Sequence, residues 1–217
     1  MIKAVIFDMD GLLFDTERLD LRAWSYAGEQ MGYTITEELS ISTIGMVDEN
    51  VQEALKAELG GGLDYPALKK HRANYVDAFV EQFGVPVKAG VRETVEFLNK
   101  AGYRLGVASS SEKRQVEDYL ARTGLLRFFD GIAGGDMVEH GKPDPEIFLK
   151  AAALLNVQPG ECLVLEDSPR GILAACRAGM RPVMVPDLVQ PSPGERELAW
   201  ACLDRIDGII ALLPGLA

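Results

Sequence analysis

Ile2-Lys3-Ala4-Val5-Ile6-Phe7-Asp8-Met9-Asp10-Gly11 sets a near-continuous apolar run directly against two acids and a glycine. Such a run, without polar alternation, reads as a short strand at 2–7 that is buried on both faces. Similar runs recur at Tyr103–Ala108, Gly131–Ala133, Cys162–Leu165 and Pro182–Val185. The stretches between them carry helical periodicity. Val91, Val95 and Leu98 share a face, as do Val116, Tyr119 and Leu120, and then Ile147, Ala151 and Leu154. Buried strands alternating with helices predict an α/β fold: a doubly wound parallel sheet, helices on both faces, right-handed crossovers. Sheets of this kind bind ligands beyond the carboxyl ends of their strands.

Residues 16–84 break the rhythm. Helix patterns cover Glu17–Met31, Thr36–Ser40, Glu49–Leu59 and Tyr65–Phe83, with no buried strand among them. Gly60-Gly61-Gly62 interrupts the region and Gly84-Val85-Pro86 closes it. The expected organisation is a core made of 1–15 and 85–217, with an all-helical domain at 16–84 inserted to cover the strand ends. Pro186–Gly194, rich in proline, reads as a surface loop.

Composition narrows the function classes. The 217 residues carry 22 Lys and Arg against 33 Asp and Glu, a formal net charge of −11, with 47% hydrophobic and 25% charged residues. That is the balance of a soluble globule. An acidic surface repels phosphate backbones, which argues against nucleic acid as a partner. No apolar run reaches the ~18 residues of a membrane helix, and the N-terminal run meets an acid too soon for a signal peptide. Cys162, Cys176 and Cys202 are odd in number and set among apolar neighbours, as reduced core thiols of a cytoplasmic protein are.

Chemistry concentrates where strands end. Asp8 and Asp10, two positions apart beyond a buried strand, are costly to bring together without a cation. Ser109-Ser110-Ser111 follows the second strand and is expected to open a helix, where hydroxyls and N–H groups bind anions; an ordinary N-cap is the alternative. In Gly141-Lys142-Pro143-Asp144-Pro145, Asp144 and Pro145 suit the N-cap and first helical positions, and Lys142 stands just before them. Glu166-Asp167-Ser168-Pro169 repeats the acidic pair at another strand end. Carboxylates of this kind suit Mg²⁺ together with waters and substrate phosphate. His71 and His140 read as a solvated helix face and a loop residue. Trp24, Tyr26 and Met31 read as helical-domain core, and Asp48 as an N-cap.

These segments, in this order, resemble the four motifs of the haloacid dehalogenase-like hydrolase superfamily: Asp8-Met9-Asp10-Gly11, Ser109, Lys142 in its Gly-Lys-Pro-Asp-Pro setting, and Glu166-Asp167. Asp15-Thr16-Glu17 and Leu21-Arg22-Ala23-Trp24 further resemble its β-phosphoglucomutase and small-phosphatase branch, with a helical cap. The resemblance implies Asp8 as nucleophile, forming an aspartyl-phosphate, and Asp10 as general acid and base. It implies Ser109, Ser110 and Lys142 as phosphate-binding residues, with Lys142 also in the catalytic set. Mg²⁺ would be bound by Asp8, the Asp10 carbonyl, Asp167 and Glu166, the last directly or through water. The second aspartate argues against dehalogenation.

The expected activity is hydrolysis of a small phosphorylated metabolite, with oligomeric state left open. One alternative is a sugar phosphomutase; a remoter one is a non-catalytic binding protein of the same fold. Where the mutases carry a histidine reporting cap closure this chain has Asp20, and where they carry an arginine for the distal phosphate the Gly45-Met46-Val47-Asp48 loop offers Asp48. Both replacements favour the phosphatase.

Overall fold

The computed structural model describes residues 1–44, 46 and 48–213; Gly45 and Val47, of the Gly45-Met46-Val47-Asp48 stretch compared with the mutases, lie outside them. The chain divides into two units, Met1–Phe14 with Val87–Ala217, and Asp15–Pro86. The first holds strands β1 (Ala4–Phe7), β2 (Arg104–Ala108), β3 (Gly131–Ala133), β4 (Cys162–Glu166), β5 (Arg181–Met184) and β6 (Ala201–Cys202). They form one parallel sheet in the order β3-β2-β1-β4-β5-β6. The order reverses between β1 and β4, the crevice where open α/β sheets bind ligands.

Helices of the second unit come first in the chain: α1 (Thr16–Gln30), α2 (Glu37–Ser42), α3 (Asp48–Leu59) and α4 (Tyr65–Phe83). Then follow α5 (Val91–Lys100), α6 (Lys113–Arg122), α7 (Glu146–Leu154), α8 (Pro169–Arg177), α9 (Pro193–Leu198) and α10 (Ile209–Leu212) in the first unit. No helix among the described residues is long and apolar enough to cross a membrane.

Side chains of β1 are buried on both faces, as the unbroken apolar run requires. Ala4 and Ile6 pack with Val164 of β4 and with Phe148, Ala151 and Ala174 of α7 and α8. Phe7, on the opposite face, meets Phe129 edge to face with centroids 5.7 Å apart. Emptying such a site, as in Ile6→Ala, costs about 2–5 kcal/mol. Gly106 shows how tightly α7 approaches the sheet: a Cβ there would sit 2.9 Å from Leu155 Cδ1. In the helical unit, Trp24 stacks on Tyr65 at 6.4 Å over a core of Ala27, Leu55, Leu63 and Leu68.

Several local expectations are corrected by packing. Leu154 is exposed and Leu155, just past the end of α7, takes the buried place. Helix α9 starts at Pro193, inside the expected loop, because Ser192 and Glu195 form a capping box there. The two-residue β6 has no pattern long enough to read. Cys202 lies on that edge strand and is exposed, and Cys176 is half-buried, so only Cys162 is a core thiol; all three are unbridged. Trp24 is buried and Met31 packs against the same cluster, but Tyr26 faces outward against Tyr75.

Candidate active site

Strand β1 ends by pointing Asp8 into the crevice, its N–H donating to the Leu165 carbonyl of β4 at 3.0 Å. The chain then turns sharply. Gly11 takes φ +75°, a conformation that favours glycine. The N–H groups of Leu13 and Phe14 both donate to the Met9 carbonyl, at 2.9 and 3.1 Å. This turn presents the Asp10 carboxylate to the loop after β2. There Ser111 Oγ donates to Asp10 Oδ2 at 2.9 Å, and Ser109 Oγ lies 3.4 Å from the same oxygen.

Lys142 reaches the site from the loop before α7. Its Nζ donates to Asp8 Oδ1, to Glu166 Oε1 at 2.7 Å and to the Ala108 carbonyl at 3.3 Å. The Lys142 carbonyl is gripped by Arg170, whose Nη2 is 2.5 Å away, which fixes the base of the lysine. Glu166 ends β4 and is held from its other side by Ser168, through N–H at 2.7 Å and Oγ at 2.8 Å. A Cβ at residue 171 would fall 1.7 Å from Glu166 Oε1, so Gly171 is required in the first turn of α8 for that carboxylate to lie there.

These groups are deeply buried, and burial sets their electrostatics. It pushes the Asp8 carboxyl up to about 8, opposed by the Lys142 ammonium and reinforced by Glu166 and Asp10. Burial alone would lower the Lys142 pKa, but the charges and hydrogen bonds of Asp8 and Glu166 outweigh it and hold the ammonium well above its ordinary range. The cluster therefore keeps its cation, yet one lysine faces several acids.

The acidic residues fit a hard divalent cation. Carboxylate oxygens of Asp8, Glu166 and Asp167 lie within 4.8 Å of one another, all three residues buried. Close, buried like charges without a counter-ion are costly, and oxygen donors suit such an ion. Both oxygens of Glu166 accept hydrogen bonds, Oε1 from Lys142 and Oε2 from Ser168.

Sequence reasoning and geometry part at several residues. Asp8, Asp10, Ser109, Lys142 and Glu166 are joined by the contacts above, and Asp167 joins through the carboxylate group. Ser110 is exposed, and Ser111, which sequence reasoning passed over, reaches Asp10 instead. The serine run does not open a helix: α6 starts at Lys113, whose N–H donates to Asp136 at 2.7 Å. Helix α7 starts one residue late, with Pro145 at the N-cap position, although Asp144 still accepts from the Glu146 N–H at 3.0 Å. His140 is exposed and His71 half-buried. Asp48 is the first residue of α3 and accepts from Lys69 and Tyr65, each at 2.8 Å. Arg170 carried no signal that would mark it, since it acts through the Lys142 carbonyl, whereas Ser168, legible as the start of a helix, caps α8 and also holds Glu166.

Comparison with known proteins gives the family of the chain. A model of the haloacid dehalogenase-like hydrolases matches residues 5–185. The phosphorylated carbohydrates phosphatase of Thermotoga maritima is 35% identical over 185 residues, 82% of each chain. The beta-phosphoglucomutase of Bacillus subtilis is 32% identical over 185 residues, 82% of this chain and 81% of its own. Among solved structures, CbbY from Rhodobacter sphaeroides in complex with phosphate is similar at a TM-score of 0.79 and 28% identity, with 96% of both chains covered. By the reach of the family match and the identity to these relatives, the chain belongs to the haloacid dehalogenase-like hydrolase family.

Proposed function

We propose that the protein is a Mg²⁺-dependent phosphatase of the cytoplasm that removes phosphate from a small phosphorylated carbohydrate through an aspartyl-phosphate on Asp8. The observation that carries this reading is the division of labour between two carboxylates. Asp8 is held by an ammonium, which favours the ionised, nucleophilic form that burial opposes; Asp10 is held by hydroxyls, as a group that gives and takes a proton can be. An Asp8 oxygen attacks phosphorus while the bond to the leaving oxygen breaks and Asp10 supplies that oxygen's proton. Asp10 then takes a proton from water, which attacks the same phosphorus, breaks its bond to Asp8 and frees inorganic phosphate.

Lys142, Ser109 and Ser110 would bind the phosphoryl oxygens, Ser110 through its backbone, given that its side chain is exposed. Asp8, Asp167 and the Asp10 carbonyl would hold Mg²⁺, with Glu166 binding it directly or through water. Bound there, the ion would balance the negative charge of the phosphoryl group. Residues 16–84 would serve as the cap domain that selects the substrate, and 1–15 with 85–217 as the catalytic core.

The similarity to a phosphomutase makes isomerisation the competing reading. The helical unit speaks for hydrolysis. The two acids that stand where a mutase would need a histidine and an arginine are each tied to a cation, Asp20 to Arg72 and Asp48 to Lys69. Lys69 and Arg72 are thus engaged and offer a second phosphate little. Incubation with β-glucose 1-phosphate, Mg²⁺ and a trace of the 1,6-bisphosphate tests this, with inorganic phosphate expected ahead of glucose 6-phosphate. The reverse order would overturn the phosphatase reading, as would p-nitrophenyl phosphate hydrolysis that EDTA leaves untouched.

A further inference from the structure

Lys88 follows directly on the short pairing that links the two segments at the edge of the core unit, where Phe14 bridges Val87 and the Lys88 N–H donates to Leu13 at 3.0 Å. Its side chain turns inward. Nζ donates to the Gly11 carbonyl at 2.6 Å and pairs with Asp187 at 2.8 Å. The Asp187 side chain is only 4% exposed and that of Lys88 23%. Three distant segments meet here: the turn after β1, the return into the core, and the loop after β5.

A pair this enclosed is poorly explained by stability, because desolvation offsets most of the attraction between buried charges. What the ammonium touches is more telling. Gly11 directly follows Asp10, and its turn is closed by three backbone bonds: Gly11 to Phe14, and Leu13 and Phe14 to Met9. Fixing the Gly11 carbonyl fixes the orientation of that closed turn. The carboxylate of Asp10 is held by Ser111 and Ser109, and the carbonyl of the residue that follows it by Lys88.

We propose that Lys88, anchored by Asp187, is a positioning residue for the proton-transfer step, setting the attitude of Asp10 through the Gly11 carbonyl. This rests on the reading of Asp10 as general acid, and it makes a demand that a merely structural pair does not. A p-nitrophenolate leaves with little help from an acid, whereas an alkoxide must be protonated as it leaves. Misplacing Asp10 should therefore harm alkyl phosphates selectively. The comparison belongs in kcat/KM, which ends at departure of the leaving group and excludes the later hydrolysis of the aspartyl-phosphate.

Lys88→Met and Asp187→Asn would be assayed with Mg²⁺ on p-nitrophenyl phosphate and on glucose 6-phosphate or glycerol 3-phosphate, whichever the wild type hydrolyses faster. Displacement of a catalytic group by about 1 Å can cost ~10²-fold, so Lys88→Met is expected to lose about 10- to 100-fold on the alkyl phosphate. The loss on p-nitrophenyl phosphate should stay within about threefold, since that reaction draws little on the acid. Asp187→Asn, which retains the Lys88 ammonium, should show a smaller loss with the same selectivity, and it carries the comparison if Lys88→Met does not fold. Equal losses on both substrates, or none, would overturn the proposal while the wild type still releases phosphate. A wild type that releases phosphate from none of these esters would overturn the parent reading instead.

Discussion

The charged cluster at the ends of β1 and β4 and the one on α1, α3 and α4 use the same residue types to different effect. In the helical unit each acid has its own cation, Asp20 with Arg72 and Asp48 with Lys69, and the aromatic rings of Trp24 and Tyr65 lie beneath those cations at 5.0 and 5.6 Å. These pairs are substantially solvated: Lys69 and Asp48 side chains are 43% and 58% exposed. In the core, Asp8 and Glu166 share the single ammonium of Lys142, Asp10 and Asp167 stand close by, and the Asp8, Glu166 and Lys142 side chains are at most 8% exposed. One cluster pairs its acids in water, the other gathers carboxylates where water is excluded. Carboxylates crowded away from water are an arrangement that a divalent cation can complete, and solvated ion pairs need nothing further.

That contrast can be broken most sharply at Asp8. Asp8→Asn is nearly isosteric and removes the nucleophile along with one of the buried carboxylates beside Lys142. Phosphate release should fall by several powers of ten, on the order of the losses seen when covalent nucleophiles are removed. Circular dichroism should show the fold intact. Retention of a tenth of wild-type kcat would take Asp8 out of its proposed role.

The next pair of substitutions separates the acids from one another. Asp10→Asn should lower kcat by ~10²–10⁴-fold, the range for a general acid–base group, with a near-normal Mg²⁺ requirement. Asp167→Asn should instead weaken the ion itself. Its reading is a thermal melt: Mg²⁺ should raise the Tm of the wild type by binding the folded state, and Asp167→Asn should shift that rise to higher Mg²⁺ concentrations. If Asp10→Asn moved the Mg²⁺ midpoint and Asp167→Asn did not, the two assignments would have to be exchanged.

The smallest effect belongs to the helical unit. Hydrogen bonds from Lys69 and Tyr65, with the Lys69 charge, hold the Asp48 carboxyl below its ordinary range despite slight desolvation. A depressed carboxyl stabilises the fold above its unfolded pKa of about 4 and loses that contribution as pH falls through the lower folded value. Asp48→Asn should therefore cost less than about 1 kcal/mol near neutrality, because water screens an exposed pair. In chemical denaturation at decreasing pH, the gap between variant and wild type should close below about pH 4. A gap that persisted unchanged into acid would show that the Lys69 charge pairing is not what Asp48 contributes.

Much of the core was legible in the primary structure because its signals are local. A run such as Ala4-Val5-Ile6-Phe7 has to be buried on both faces, and a parallel sheet is the setting that does so. Acids at Asp8 and Glu166 follow such runs immediately, so their placement at strand ends needs no knowledge of distant residues. Helix faces are equally local: Val91, Val95 and Leu98 are all fully buried, as their spacing requires. What only tertiary structure decided is which of several equivalent groups reaches a given atom. Ser110 and Ser111 are identical in the sequence, and the turn after β2 sends one outward and the other to Asp10. Lys88 reads as one surface lysine among many until the loop after β5 brings Asp187 to it and the turn after β1 brings the Gly11 carbonyl. Those contacts join residues 77 apart in one direction and 99 apart in the other, and no periodicity encodes a meeting of side chains that the backbone makes only once it has folded.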